Sequence, residues 1–308
     1  MTSAPALTAE APVAATTAPA GPPGALGAPA PARSAVRGPR RRRSVLAEGL
    51  VLAILAATLV PLLYLLSVSL MGRGETVAGV LVPSEPQWVN WAQVLTGSTL
   101  PRAVLNSILV ATASALLTLA LATPGAWAVV RFRTGGRTLE ATILSPWLLP
   151  PVVAVVPLLW LLRLLGLNNS LLGLTLVYAL VNVPVGVWLL EGFVRRLPVE
   201  IEEAARLDGA GTVRTLASVV TPLLAPALVA VGIVVGILGY NEFLLATFLT
   251  QSPDTQTVPV ALSMFYGDRT PHFGKIAAAS LVGVAPVLGL AVVAQRWLVG
   301  GLTVGSHR

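Results

Sequence analysis

Six long apolar runs divide this chain, and no water-soluble architecture can hide that many. Residues 50–70, 103–130, 141–162, 164–190 and 276–295 carry no charged side chain, and the run from 219 to about 250 carries only Glu242. A helix needs about 20 residues to cross a hydrocarbon layer of about 30 Å, and each run is long enough. Lipid offers no partner to backbone N–H and C=O groups, so an open chain must satisfy them within each segment, as a helix does. The strict alternation of barrel strands is absent. The reading is an all-α, polytopic membrane protein with six transmembrane helices. The run at 50–70 is too long for a signal-peptide core and has no small-x-small cleavage site after it, so it stays as an anchor.

Composition agrees. Only 11% of residues are charged and 55% are hydrophobic, against about 25% charged in soluble domains. There is no Cys, which excludes disulfides and thiolate metal sites. A net charge of +7 suggests a nucleic-acid partner until the basic residues are located. With the N-terminus in the cytoplasm and six spans threaded, 15 of the 20 Lys and Arg fall on the cytoplasmic side, and only Arg73, Arg102, Arg163, Arg269 and Lys275 lie outside. This bias places both termini in the cytoplasm. Residues 1–32 are almost entirely Ala, Pro, Gly and Thr, a composition that cannot offset chain entropy by burial. With the basic run RGPRRRRS they make residues 1–44 a disordered cytoplasmic tail, the basic run acting as a topogenic cluster and not as a nucleic-acid site. Residues 45–308 then form the six-span domain.

One polar stretch interrupts the second half: EIEEAARLDGAGTVRTL, residues 200–216. Pro198 suits a first helical turn. Glu200, Glu202 and Glu203 favour the positive end of a helix dipole. Glu202 and Arg206, four apart, can pair. Gly209 can take the left-handed geometry that ends a helix, and Thr212 can cap a second short helix through Leu216. Two short helices with a sharp bend are expected over 198–218, on the cytoplasmic side. Ala204 and Ala205 leave one face nearly bare, so another protein's backbone can approach. The alternative is an ordinary solvated loop.

The segment EEAARLDGAGTVRTLASVVTPLLAPAL resembles the signature loop of ABC importer permeases. Glu203, Ala204, Ala205, Asp208, Gly209 and Ala210 match that pattern, and Pro222 falls at its proline. Leu216, where an aromatic is common, and Thr221, where an aliphatic is usual, depart from it. NSILVA (106–111), LGLNNSLLGL (165–174), YNEFLLATFLT (240–250), TVPVAL (257–262) and QRWLVGGLTVG (295–305) are similar to the maltose-type carbohydrate branch, and most to its second, shorter permease subunit. Tyr240 replaces a tryptophan common there, and Pro124 and Gly125 stand where small residues and a tyrosine are usual.

The resemblance implies a type I ABC importer permease fold and a prokaryotic inner-membrane location. It also implies a second permease subunit, two ATPase subunits that bind ATP and Mg, an extracytoplasmic solute-binding protein, and a sugar as cargo. The chain itself would bind no cofactor. Glu203 would pair with the ATPase, Ala204 and Ala205 would permit close contact, and Gly209 would set the bend, with Asp208 and Ala210 completing the motif. The loop at 251–274 would reach toward the binding protein, the alternative being a plain solvated connector.

Polar residues within spans are costly and default to functional candidates. Tyr240, Asn241 and Glu242 late in the fifth span, Asn182 before Pro184, and Asn106 at the start of the second are the candidates for a translocation path. Plainer roles stand beside each: Glu242 as an interfacial residue, Asn182 satisfying backbone freed by Pro184, Asn106 and Ser107 bonding a neighbouring helix. Gly232 and Gly236 form a small-xxx-small pair suited to close packing. Pro146, Pro150, Pro151 and Pro157 suggest a kinked third span. An enzyme is a poor fit. His272 and His307 lie outside the spans, no run contains an Asp, and neither an H-E-x-x-H nor a P-loop is present. An ion-driven secondary transporter would want midplane carboxylates and internal repeats, neither of which is evident. Other cargo for the same permease class (polyamine, amino acid, phosphate) stays open.

Overall fold

The computed structural model describes residues 45–132, 151–266 and 271–303. The tail at 1–44, residues 141–150 of the expected third span, Asp268, Arg269 and His307 lie outside them. The chain falls into two units, Met1–Val51 and Leu52–Arg308. Of the first, residues 45–51 are described and are helical.

Every regular element among the described residues is a helix. In chain order they are α1 Val45–Ser69, α2 Arg73–Ala78, α3 Val89–Thr96, α4 Leu100–Phe132, α5 Pro151–Leu164, α6 Leu171–Val194 and α7 Val199–Leu207. There follow α8 Thr212–Thr215, a π turn Leu216–Val220, α9 Thr221–Leu223, α10 Ala225–Tyr240, α11 Leu244–Leu249, α12 Val258–Met264 and α13 Phe273–Thr303. Four of these helices are long and apolar enough to cross a membrane, or five if the bent pair Thr212–Leu223 and Ala225–Tyr240 counts as one span. The third run, 141–162, is represented by α5, which is apolar but short.

Three expected boundaries change. The fourth run does not start at 164. Gly166 and Asn169 take positive φ (67° and 52°), and Ser170 accepts from the Gly173 N–H, so a turn precedes α6. The fifth run is not one rod, because α10 stops at Tyr240 and the chain restarts as α11 after residues 241–243. At its other end it bends by 79° between α9 and α10. Pro222 and Pro226 flank that bend and each lacks the N–H a continuous helix needs. Just before Pro222 the register slips, with the Thr221 N–H bonding five residues back to the Leu216 carbonyl. Two short helices, α2 and α3, were invisible as periodic patterns in the connection after α1.

α4 is the central helix, and small side chains let its neighbours come close. A Cβ at Gly186 of α6 would sit 2.9 Å from the Ala122 Cβ and 3.1 Å from the Thr118 Cγ2. Thr118 Oγ1 donates to the Ala179 carbonyl at 3.0 Å across the same contact. From α10, Gly232 faces Leu119 and Gly239 faces Ser114, so the glycine spacing on that helix serves close packing against α4. The apolar cluster beneath α7 and α8 joins Ala126, Trp127, Leu190, Val194, Val220 and Leu224. At the opposite end Asn90 Nδ2 donates to the Ser69 and Met71 carbonyls and ties α3 to the end of α1.

Candidate functional site

The polar stretch folds as two short helices with a sharp bend. Pro198, at φ −58° and ψ 132°, is the residue before α7 and not its first turn. α7 ends in a paired-bond cap: Gly209 N–H donates to the Arg206 carbonyl at 3.0 Å and Ala210 N–H to the Ala205 carbonyl at 2.9 Å. This geometry needs a left-handed residue after the last turn, and Gly209 supplies it at φ 82°. Gly211, not Thr212, precedes α8, and no side chain caps that helix. Thr212 is its first helical residue.

The exposed surface of this element is mixed. Glu203, Ala204, Arg206, Asp208 and Gly209 face outward, while Ala205 and Ala210 are half-buried. Leu207 is 90% exposed and Val213 81% exposed, two apolar side chains on either limb of the bend. The six motif residues thus lie in one short, continuous patch whose backbone is fixed by the Gly209 cap.

Glu202 behaves differently from its neighbours, and the expected pairing with Arg206 does not form. Glu202 is 2% exposed, and both of its carboxylate oxygens are engaged. Trp127 Nε1 donates to Oε2 at 3.0 Å, and Arg131 Nε donates to Oε1 at 2.7 Å. Arg131 Nη2 also donates to the Leu197 carbonyl at 2.7 Å and the Val194 carbonyl at 3.3 Å, at the end of α6. A buried carboxylate without a partner is strongly unfavourable, so Glu202 turns to the guanidinium beneath it while Arg206 stays in solvent. These partners lie more than seventy positions away in sequence, so helical spacing could not reveal them. The available signal was Trp127 and Arg131 standing four apart at the polar end of an apolar run.

The polar residues of the spans are not gathered into one group. Asn106 Nδ2 donates to the Asp254 and Gln256 carbonyls, both at 2.9 Å, and Ser107 Oγ accepts the Val258 N–H at 2.8 Å. Both residues therefore hold the connection between α11 and α12. Asn182 Nδ2 donates to the Tyr178 carbonyl at 2.8 Å, and not to the Leu180 carbonyl that Pro184 leaves free. Tyr178 Oη in turn donates to Glu242 Oε2 at 3.0 Å. Glu242 also accepts the N–H groups of Leu245 and Ala246 at 3.0 and 3.1 Å, which caps α11 at the break in the fifth run. Asn241 is exposed, and its Nδ2 bonds the Ile237 carbonyl. Tyr240 Oη donates to the Gly283 carbonyl at 2.7 Å. The ring of Tyr240 also lines an apolar cavity of about 710 Å³ among α4, α10 and α13, beside Leu119, Gly236 and Pro286. Asn182 and Glu242 thus meet through Tyr178, Tyr240 faces α13, and Asn106 serves the loop. Asn169, not singled out from the sequence as a polar anchor, accepts from Gln251 N–H at 2.8 Å, Ser252 N–H at 3.2 Å and Thr255 Oγ1 at 2.7 Å.

This fold and loop have counterparts. Over 256 residues the chain is 32% identical to a trehalose transport system permease protein of Mycobacterium tuberculosis, covering 82% of this chain and 93% of the relative. Over 269 residues it is 31% identical to a trehalose/maltose transport system permease protein of Thermococcus litoralis, covering 86% and 96%. A solved bacterial ABC transporter involved in import of the acidic polysaccharide alginate superposes with a TM-score of 0.63 at 22% identity, covering 82% of this chain and 97% of that one, which shows a shared fold. Residues 119–299, which include the bent element and the helices beneath it, match the sequence profile of one family. The chain belongs to the binding-protein-dependent transport system inner membrane components, the permeases of ABC importers.

Proposed function

We propose that this chain is one of two permease subunits in an ATP-driven importer of a sugar or oligosaccharide. It crosses the membrane six times with both termini in the cytoplasm, and residues 1–44 form a tail ahead of the permease domain at 45–308. A second permease completes the pathway, two ATPase subunits bind ATP and Mg, and an extracytoplasmic binding protein delivers the cargo. The observation that carries this reading is the outward-facing patch from Glu203 to Ala210, held by the Gly209 cap, with Leu207 exposed within it and Val213 exposed just beyond it. Such a knob suits a cleft in an ATPase: alanines allow close approach, the two apolar side chains supply buried area, and Glu203 offers a carboxylate. The sugar assignment rests on what the two relatives above are named for.

The test combines uptake and crosslinking. A strain deleted for this chain is complemented with it and offered radiolabelled trehalose, maltose and melibiose. Uptake of at least one should depend on this chain, the ATPase and the binding protein. The natural absence of Cys makes Ala204→Cys a single reactive site. A short bifunctional crosslinker there should capture the ATPase. Uptake that persists without the ATPase, driven by an ion gradient alone, would refute the reading. So would labelling of position 204 from the periplasmic side.

A further inference from the structure

We propose that Glu202, Trp127 and Arg131 form a rigid joint that makes α7 move with α4 and the end of α6, and that Glu202 is a positioning residue for transport. The proposal rests on the reading of α7 as the ATPase contact.

Four observations carry it. First, Glu202 sits on the inward side of a nine-residue helix whose other acids, Glu200 and Glu203, face solvent. Second, neither carboxylate oxygen is free: one takes the indole N–H and the other the guanidinium. Third, the guanidinium does not belong to this pair alone. Its Nη2 reaches two carbonyls at the C-terminal end of α6, where a cation is favoured by the exposed carbonyls and the helix dipole. One side chain of α4 therefore holds α6 and α7 together. Fourth, the joint is dry, with the Arg131 side chain 9% exposed and that of Glu202 2% exposed. In such a setting a charged hydrogen bond resists rearrangement, because separating the pair would strand a buried charge.

The consequence is directional. A solvated loop pushed by a partner would absorb the displacement in its own dihedrals. α7 cannot do so at position 202 without breaking two donor contacts at once. Displacement of the Glu203–Ala210 patch must instead carry α4, and α4 is the helix against which α6 and α10 pack. The exposed face would make contact with the ATPase, and the buried face would transmit the movement.

The experiment reads the joint directly in the assembled transporter in proteoliposomes. Nitroxide labels are placed at Arg206 on α7 and Leu121 on α4, both exposed, and their separation is measured with and without ATP and binding protein. In the wild-type background the distance distribution should be narrow and unchanged between the two states. Glu202→Gln puts an amide N–H₂ against a donor, so the distribution should broaden. Sugar imported per ATP hydrolysed should fall about tenfold to a hundredfold, the scale of a charged hydrogen bond, while the subunits still copurify. Trp127→Phe removes a single N–H and should give a smaller fall of roughly threefold to tenfold, which keeps the test available if Glu202→Gln does not assemble. Combining Glu202→Gln with Arg131→Gln should cost less than the product of the two separate losses, because both changes break the Glu202–Arg131 contact. An unchanged distance distribution and import ratio in both single variants would overturn the proposal, as would multiplicative losses in the double variant. A wild-type assembly that imports no sugar would refute the functional reading instead, and the label distances would still judge the joint.

Discussion

Gly209 allows a clean test because only its backbone matters. Its φ of 82° is in the left-handed region, and a Cβ built there would meet nothing within 4 Å. Within this chain, the effect of Gly209→Ala must therefore come from conformational strain and not from a clash. An ordinary L-residue in that region costs about 1–2 kcal/mol. At about 1.4 kcal/mol per factor of ten, Gly209→Ala should shift the balance from bent to unbent element by roughly 5- to 30-fold. Gly209→Val should do more, since a β-branched residue tolerates positive φ poorly. Gly209→Asn should do least, because asparagine enters this region readily. The assay is paired measurement of ATP hydrolysis and sugar uptake by the reconstituted transporter, with assembly checked by copurification. The expected order of import per ATP is glycine, asparagine, alanine, valine, and ATP hydrolysis should outlast uptake. Normal import by Gly209→Val would refute the claim that this bend couples the two activities. Equal damage from asparagine and valine would show that the left-handed φ is not the cause.

Two further outcomes test the frame around the site. Gly186→Val places a branched side chain against the Ala122 Cβ and Thr118 Cγ2, where even one carbon would sit at 2.9 and 3.1 Å. Overpacking of this kind costs about 1–3 kcal/mol, so the solubilised protein should unfold at lower temperature, whereas Gly192→Val, with nothing within 4 Å, should not. Equal stability of the two variants would refute tight α4–α6 packing. Asn169→Gly keeps the positive φ and deletes the acceptor for Gln251, Ser252 and Thr255. At about 1 kcal/mol per bond, amide exchange at Gln251 and Ser252 should quicken by about tenfold or more, and unchanged protection would count against the anchor.

What could be read from the sequence follows from the range of each interaction. The apolar runs are local, and α1, α4, α6 and α13 stand where those runs lie. The bend at Gly209 was legible because a glycine after a polar helix has one common use. The break after Tyr240 was half-visible, since Asn241 and Glu242 marked the place without showing that Glu242 caps α11. The Glu202 pairing was misjudged for the opposite reason. Spacing proposes partners one turn away, but a buried carboxylate is satisfied by whatever the tertiary fold puts beneath it, and that was an arginine on another helix. Asn169 and Asn106 are the same lesson at the other end, where side chains hold a loop about 80 and 150 positions away.

The near-right-angle elbow at Leu224 has a mechanical consequence of its own. The segment Thr212–Leu223, if straight, is an arm roughly 18 Å long at 1.5 Å per residue, set at 79° to α10. A sideways shift of about 3 Å at its far tip would turn the elbow by roughly 10° on that arm length. Force applied along the arm bears across the following rod and not down its axis, so it arrives as torque. Such a crank loses motion only if its own shaft flexes. The π turn at Leu216–Val220, just ahead of Pro222, is the point where that flexing would begin.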